Sequence, residues 1–204
     1  MEEITKQAVL DYLWISNTND PKFPWSTVPG GQMGFTKRWG LGLIPVVYQD
    51  NGRDRVVMAM NQIETRLGKI FDRQPYAQGQ AQHLVQRGIV ISTGTAMASD
   101  DTLPCNNCGN VSRGPNDTAY PANYFDPLTG IIDCVLYINL DSPDCTADVY
   151  TVLHEFGHAL GLGEHFEGFG IGGEHAVGTN IFPVLKTLYA HEPGTSHGSI
   201  NVVL

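Results

Sequence analysis

Between positions 151 and 165 the chain runs Thr151-Val152-Leu153-His154-Glu155-Phe156-Gly157-His158-Ala159-Leu160-Gly161-Leu162-Gly163-Glu164-His165. Two histidines four positions apart project from one face of an α-helix, one turn from each other. Two neutral imidazoles so placed can hold one divalent cation, and Glu155, beside the first of them, can reach a water on that cation rather than the cation itself. A zinc ion with three protein ligands keeps a fourth position for water and lowers that water's pKa to about 7. A carboxylate next to it can take the proton as the oxygen attacks a carbonyl, then hand it to a leaving amine. A core helix with two incidental histidines would fit the same five letters, so the residues that follow carry the decision.

A third ligand cannot come from the same straight helix and still close a tetrahedral site. The chain must turn, and Gly161 is able to take φ > 0 and turn it. Up to this point the chain resembles the metzincin metalloproteases, whose signature is HExxHxxGxxH followed later by a methionine turn. The run from His154 to Gly163 is similar to the matrix-metalloprotease and astacin versions. Glu164 then stands where the family has its third histidine, and His165 comes one residue later. A post-helix loop absorbs one extra residue easily and imidazole suits zinc, so the expected metal ligands are His154, His158 and His165, with Glu155 as general base. The alternatives are Glu164, or a carboxylate farther along (Glu167 or Glu174) as in thermolysin-like enzymes, with His175 a lesser candidate. Those not used are solvated loop residues.

The methionine turn is a second departure from the family. All five methionines (Met1, Met33, Met58, Met60, Met97) precede the histidine motif. Asn180-Ile181-Phe182-Pro183-Val184-Leu185 resembles the family's Met-Tyr-Pro turn with Ile181 in place of the methionine, where isoleucine could fill much the same volume as a packing floor. Tyr189 invites comparison with the oxyanion-stabilising tyrosine of astacins, but it lies outside the family spacing, and a surface tyrosine is expected.

The whole chain bounds the function classes. In 204 residues, 42% hydrophobic and 16% charged side chains describe a globular domain able to bury a sizeable core. A net charge of −9 with no basic stripe argues against nucleic acid or an anionic membrane surface as partner. No apolar run approaches the ~18 residues of a membrane-spanning helix. The start, Met1-Glu2-Glu3-Ile4-Thr5-Lys6, is acidic and lacks the apolar segment of a signal peptide. The partner that the resemblance implies is a protein or peptide substrate, extended along an exposed sheet edge by strand addition.

Several elements must position this motif. Ile4, Val9, Leu13 and Trp14 space a short N-terminal helix ending near Ser16-Asn17. Prolines and glycines between Asn19 and Gly31 then mark irregular chain. Residues 1–36 are therefore expected as an N-terminal extension or arm packed on the domain. An inhibitory pro-segment is the alternative, with no cysteine there to plug a zinc site. Residues 43–48 form a strand signal and Asp50-Asn51-Gly52 a turn. Val56, Val57, Met60, Ile63, Leu67 and Ile70 space an amphipathic helix over 53–71. Strands follow at 89–93 and 135–140, and the active-site helix is expected over 146–161 with Thr146 as its N-cap.

This order gives an α+β fold. The resemblance makes it metzincin-like: a twisted mixed sheet backed by two long helices, with a catalytic domain over 37–204. Its N-terminal subdomain would run to about 163, and a small irregular C-terminal subdomain over 164–204 would floor the cleft.

Four cysteines, Cys105, Cys108, Cys134 and Cys145, flank a glycine- and asparagine-rich loop over 94–130. If 134–140 is extended, it carries the chain about 20 Å, so Cys145 cannot return within the ~7 Å of Cys134 that a disulfide allows. Crossed pairs are expected, one of Cys105 and Cys108 to Cys134 and the other to Cys145. A structural zinc site and free thiols are the alternatives. Two disulfides would make this a secreted or periplasmic protein in mature form. Asn110-Val111-Ser112 and Asn116-Asp117-Thr118 are glycosylation tripeptides of a kind common by chance. Metzincins often hold a structural calcium, but Asp100, Asp101, Asp117 and Asp126 lack regular spacing, which favours a solvated loop.

Overall fold

The computed structural model describes residues 4–18, 34–40, 42–49, 53–76, 87–96, 108–113, 125–126, 128–171 and 178–204. The turn at Asp50-Asn51-Gly52, Met97, Asp100, Asp101, Cys105, the tripeptide at Asn116, Glu174 and His175 lie outside the described residues, as does 19–33. In chain order the elements are α1 (Lys6–Leu13), β1 (Arg38–Trp39), β2 (Ile44–Gln49), α2 (Arg53–Leu67), β3 (Phe71–Tyr76), β4 (Gly88–Thr93), β5 (Gly109–Arg113), β6 (Ile131–Ile132), β7 (Val135–Leu140), α3 (Val149–Ala159), β8 (Phe166–Glu167), β9 (Gly170–Ile171) and α4 (Ile181–Tyr189). The fold is mixed α/β. The described residues cluster into two compact units, one from Leu43–Asp117 and Cys134–Ala159, the other from Met1–Gly42, Thr118–Asp133 and Leu160–Leu204.

The first unit is built on a five-stranded mixed sheet of order β3-β2-β4-β7-β5, parallel except for β5, which runs antiparallel to β7. Central β4 is buried from Gly88 through Ser92, as a strand covered on both faces must be. In β7, Leu136, Ile138 and Leu140 are buried while their neighbours are half-exposed, the period-2 pattern of a strand with one face on the core. Helices α2 and α3 pack against each other, and α3 also packs on β5 and β7. The α2 stripe Val56, Ala59, Met60 and Ile63 and the α3 residues Val152, Leu153 and Phe156 are buried, and the ring of Phe156 meets that of Phe71 at 5.3 Å.

The end of β7 is fastened to the start of α3 by charge. Arg55 donates to both carboxylate oxygens of Asp141, at 2.7 and 2.5 Å, and to the carbonyl of Ala147, whose N–H in turn donates to Asp141. Partial burial would raise the Asp141 pKa, but the hydrogen bonds from Arg55 and Ala147 and the Arg55 charge outweigh it, and the pKa is lowered.

Four sequence expectations change here. Helix α2 stops at Leu67, short of residue 71, because Gly68 takes φ +82° and Glu64 Oε1 accepts from the N–H groups of Ile70 and Phe71. The chain then enters β3, a strand unforeseen because Phe71-Asp72-Arg73-Gln74-Pro75-Tyr76 is charged and contains proline. Such a sequence suits an edge strand, which β3 is. Strand β5, at the other edge, falls in what the sequence suggested was a loop. The helix expected over 146–161 spans Val149–Ala159. Its cap is Asp148, which accepts from the N–H of Thr151 at 2.8 Å, not Thr146.

In the second unit α1 packs on α4, with Val9, Leu13, Val184, Leu185 and Leu188 buried. Tyr12 stacks on Phe166 at 4.6 Å, and Phe166 lies against Phe169. Beyond Leu13 the chain continues as a π-helical turn, Trp14–Thr18, in which Ser16, Asn17 and Thr18 are fully buried. The segment compared with the methionine turn is the first turn of α4. Ile181 is buried there, and Pro183 occupies an early helical position that lacks an intrahelical N–H bond anyway.

Candidate metal centre

Helix α3 fixes the first two histidines by its pitch alone. His154 and His158 stand one turn apart, with Nε2 atoms 3.0 Å from each other and rings at 82°. Two imidazole nitrogens each ~2.05 Å from one tetrahedral zinc would be about 3.3 Å apart, so the pair is already close to the ligating spacing. Both rings are half-buried.

Beyond the helix, Gly161 takes φ +120°, the conformation its place in the motif called for. A Cβ there would also meet the Lys37 carbonyl at 2.7 Å, so glycine is required twice over. His165 follows, exposed, with its ring edge-on to Phe169 at 5.5 Å and laid directly over Gly170. Gly170 has φ +77°, and a Cβ on it would overlap Cγ and Cδ2 of the His165 ring. Desolvation lowers the His165 pKa against the pull of the Glu164 charge. That favours the neutral imidazole, the form that can ligate a metal.

His154, His158 and His165 each offer one ring nitrogen, and the three nitrogens lie within 4.8 Å of one another. This donor set and the glycine cradle under His165 fit a zinc ion with an open coordination position. Among the described residues no other group of three or more such side chains comes together.

Among the described residues, the rival third ligands Glu164 and Glu167 are placed otherwise. Glu164 is exposed and not part of this cluster. Glu167 accepts a hydrogen bond from the Tyr12 hydroxyl, whose pKa is raised by burial and by the Glu167 charge. Asp126, weighed above for a structural calcium rather than for this site, spends both carboxylate oxygens on its own turn, accepting from the N–H of Leu128 and the hydroxyl of Thr129.

Glu155 is 5% exposed, on the buried side of α3. Burial raises its pKa to about 8, and a cation nearby would oppose that rise. Its side chain rests on Gly109, the first residue of β5. A Cβ at 109 would meet Glu155 Cγ at 2.9 Å and Oε1 at 3.0 Å, so glycine leaves the room that the carboxylate occupies. Cys108, just before it, pairs with Cys145 in a disulfide with Cα atoms 5.3 Å apart, which removes both thiols from any second zinc site. Cys134 is buried.

Tyr189 is not the surface tyrosine expected. Its hydroxyl donates to the carbonyl of Leu160 at 3.0 Å, its ring packs under the Arg38 guanidinium at 5.2 Å, and burial pushes its pKa up. Sequence reasoning also passed over Gly109, Gly170 and Asn17, the last of which holds the turn at Gly161. Only the Gly168-Phe169-Gly170 spacing offered any local signal, that of a tight turn. No protein-family model, no curated protein and no solved structure matches this chain.

Proposed function

We propose that this chain is a zinc-dependent endopeptidase of metzincin-like design. The observation that carries the proposal is the convergence of three imidazoles, with the buried carboxylate of Glu155 next along the helix from the first of them. His154, His158 and His165 would hold the zinc, which when bound supplies Lewis acidity and brings the pKa of water to about 7. Glu155 removes a proton from the attacking water as its oxygen adds to the carbonyl carbon of the scissile peptide. When the C–N bond breaks, the same carboxyl delivers that proton to the amine nitrogen.

Strand β5 is the natural rail for the substrate. Among the described residues it pairs with β7 alone, and its first residue touches Glu155. A peptide added along its other edge would make main-chain hydrogen bonds with little demand on side-chain identity. The Cys108–Cys145 pair favours an oxidising compartment, outside the cell or in a periplasm. Among the described residues no helix is long and apolar enough to cross a membrane.

Zinc content and casein or gelatin cleavage, measured on the same samples, test this. The parent should carry about one zinc per chain, as a three-ligand catalytic site implies. His165→Ala should lose the metal and Glu164→Ala keep it. Glu155→Gln should keep the metal while hydrolysis drops by ~10²–10⁴-fold. A parent without zinc sinks the whole proposal, and full activity in Glu155→Gln sinks the assignment of the base.

A further inference from the structure

The turn that carries the chain from His158 to His165 is held by a residue far away in sequence. The Asn17 side chain is fully buried and all its partners are backbone groups. Its Nδ2 donates to the carbonyl of Gly161 at 2.6 Å and to that of Lys37 at 2.7 Å, while its Oδ1 accepts from the Lys37 N–H at 3.0 Å. One residue earlier, the carbonyl of Ser16 accepts from the N–H of Gly163 at 2.7 Å. The segment therefore grips the turn at two places, with Leu162 fully buried between them. His165 follows two residues after the second grip.

We propose that Asn17 is a positioning residue for the third metal ligand, fixing the Gly161–Gly163 turn so that His165 is presented ready to ligate; this rests on the metal centre proposed above. The geometry of the turn leaves little slack. Gly161 approaches the Lys37 carbonyl so closely that a Cβ would stand 2.7 Å from it and 3.3 Å from Asn17 Nδ2. Asn17 is itself held. The buried Lys37 ammonium donates to the carbonyls of Asn17 at 2.6 Å and Thr18 at 3.3 Å, and the Thr18 hydroxyl bonds Nδ1 of His197 at 2.8 Å.

A carboxamide is the group this position needs. It supplies two donors and an acceptor in one plane, and no hydroxyl or carboxylate can satisfy two carbonyls and an N–H together. Without it, the buried carbonyls of Gly161 and Lys37 lose their donor, and the turn must find another arrangement. A ligand on a loosened turn has to be ordered as the metal binds, and affinity falls.

The test compares Asn17→Ala and Asn17→Asp with Thr187→Val in the full chain. Asn17→Asp is isosteric and keeps the acceptor for the Lys37 N–H. Thr187 is equally buried, and its hydroxyl exchanges hydrogen bonds with the backbone of Val203 rather than with the turn. Zinc affinity is read by competition with a chromogenic chelator, coordination by the visible spectrum of the cobalt(II)-loaded protein, and stability by thermal melting. Both Asn17 variants should bind zinc ~10–100-fold more weakly, the range seen when a residue that orients a metal ligand is removed. Their cobalt spectra should change as well, while Thr187→Val loses melting temperature but keeps the parent's affinity and spectrum. If Asn17→Ala does not fold, Asn17→Asp decides alone. Parent-like affinity in the folded Asn17 variants, or an equal loss in Thr187→Val, overturns the proposal while the metal centre stands. A parent that binds no zinc, or binds it undisturbed by His154→Ala, removes the metal centre and this inference with it.

Discussion

Helix α3 and the segment that follows it, 160–171, contribute to one candidate site by opposite means. On α3, His154, Glu155 and His158 are placed by regular hydrogen bonding. Their mutual geometry is set by 3.6 residues per turn and would survive in any helix. In the segment, His165 is placed by contacts that no helical periodicity supplies: the distant Asn17 and Ser16 on the turn, with Gly170 beneath the ring and Phe169 at its edge. The difference teaches where each part is vulnerable. A change that weakens α3 should cost stability before it costs metal affinity. A change in the segment should cost metal affinity even when the fold survives.

The largest expected effect tests the first half of that contrast. The Cys108–Cys145 disulfide bridges a sequence separation of 37 beside the start of α3. Loop-closure entropy alone gives it a stabilisation of roughly 4 kcal/mol. The Cys108→Ser/Cys145→Ser double variant should therefore melt about 8–16 °C lower. Below its melting temperature it should still bind zinc with the parent's affinity, because the His154–His158 spacing is internal to the helix. Chelator competition at low temperature checks this, and weakened binding there would show that α3 does not set its ligands locally.

Gly170→Ala tests the second half. It forces an L-residue to φ +77° and drives a methyl group into the His165 ring. Left-handed strain and overpacking together suggest a loss on the order of 3 kcal/mol. Here zinc affinity should fall along with stability, since the ring that must move is the proposed third ligand. A Gly170→Ala protein that melts early yet binds zinc like the parent would break the contrast from the other side.

The same contrast explains what the sequence could tell. His154, Glu155, His158 and the turn at Gly161 were legible because their signals are local, a spacing of four and a glycine where a helix must end. The strands β2, β4 and β7 were legible because buried strands are written in β-branched and aliphatic runs. Strands β3 and β5 were not. An edge strand is paired on one side only, and Asp72, Arg73, Asn110 and Ser112 are tolerated there as they would not be in β4. Asn17 reads as the frayed end of a short helix. Its role depends on Lys37 and Gly161, 20 and 144 positions away, and no pattern in its neighbourhood encodes a contact across that distance. His165 was preferred to Glu164 on ligand chemistry and loop length alone. Which side chain lies over Gly170 depends on packing, which periodicity does not report.

The smallest expected effect is the finest test of the contrast, because it disturbs α3 without removing anything near the ligands. Asp148 caps the helix through the Thr151 N–H at 2.8 Å and also takes the Thr151 hydroxyl at 2.9 Å. Asp148→Ala leaves that N–H without its acceptor, at a cost of about 1 kcal/mol, or a melting shift of about 2–4 °C. Fraying would reach the first turn, Val149 to Thr151, and His154 lies beyond it, so zinc affinity should stay within about twofold of the parent's, a difference under ~0.5 kcal/mol. Asn17→Asp, compared with it at a temperature where both variants are folded, should lose far more affinity. Loss of zinc binding in the folded turn variant alone would show that the helix holds its histidines by local geometry, while the turn holds its own by a distant side chain. Equal affinities in that folded pair would mean that both parts of the site rely on the fold as a whole.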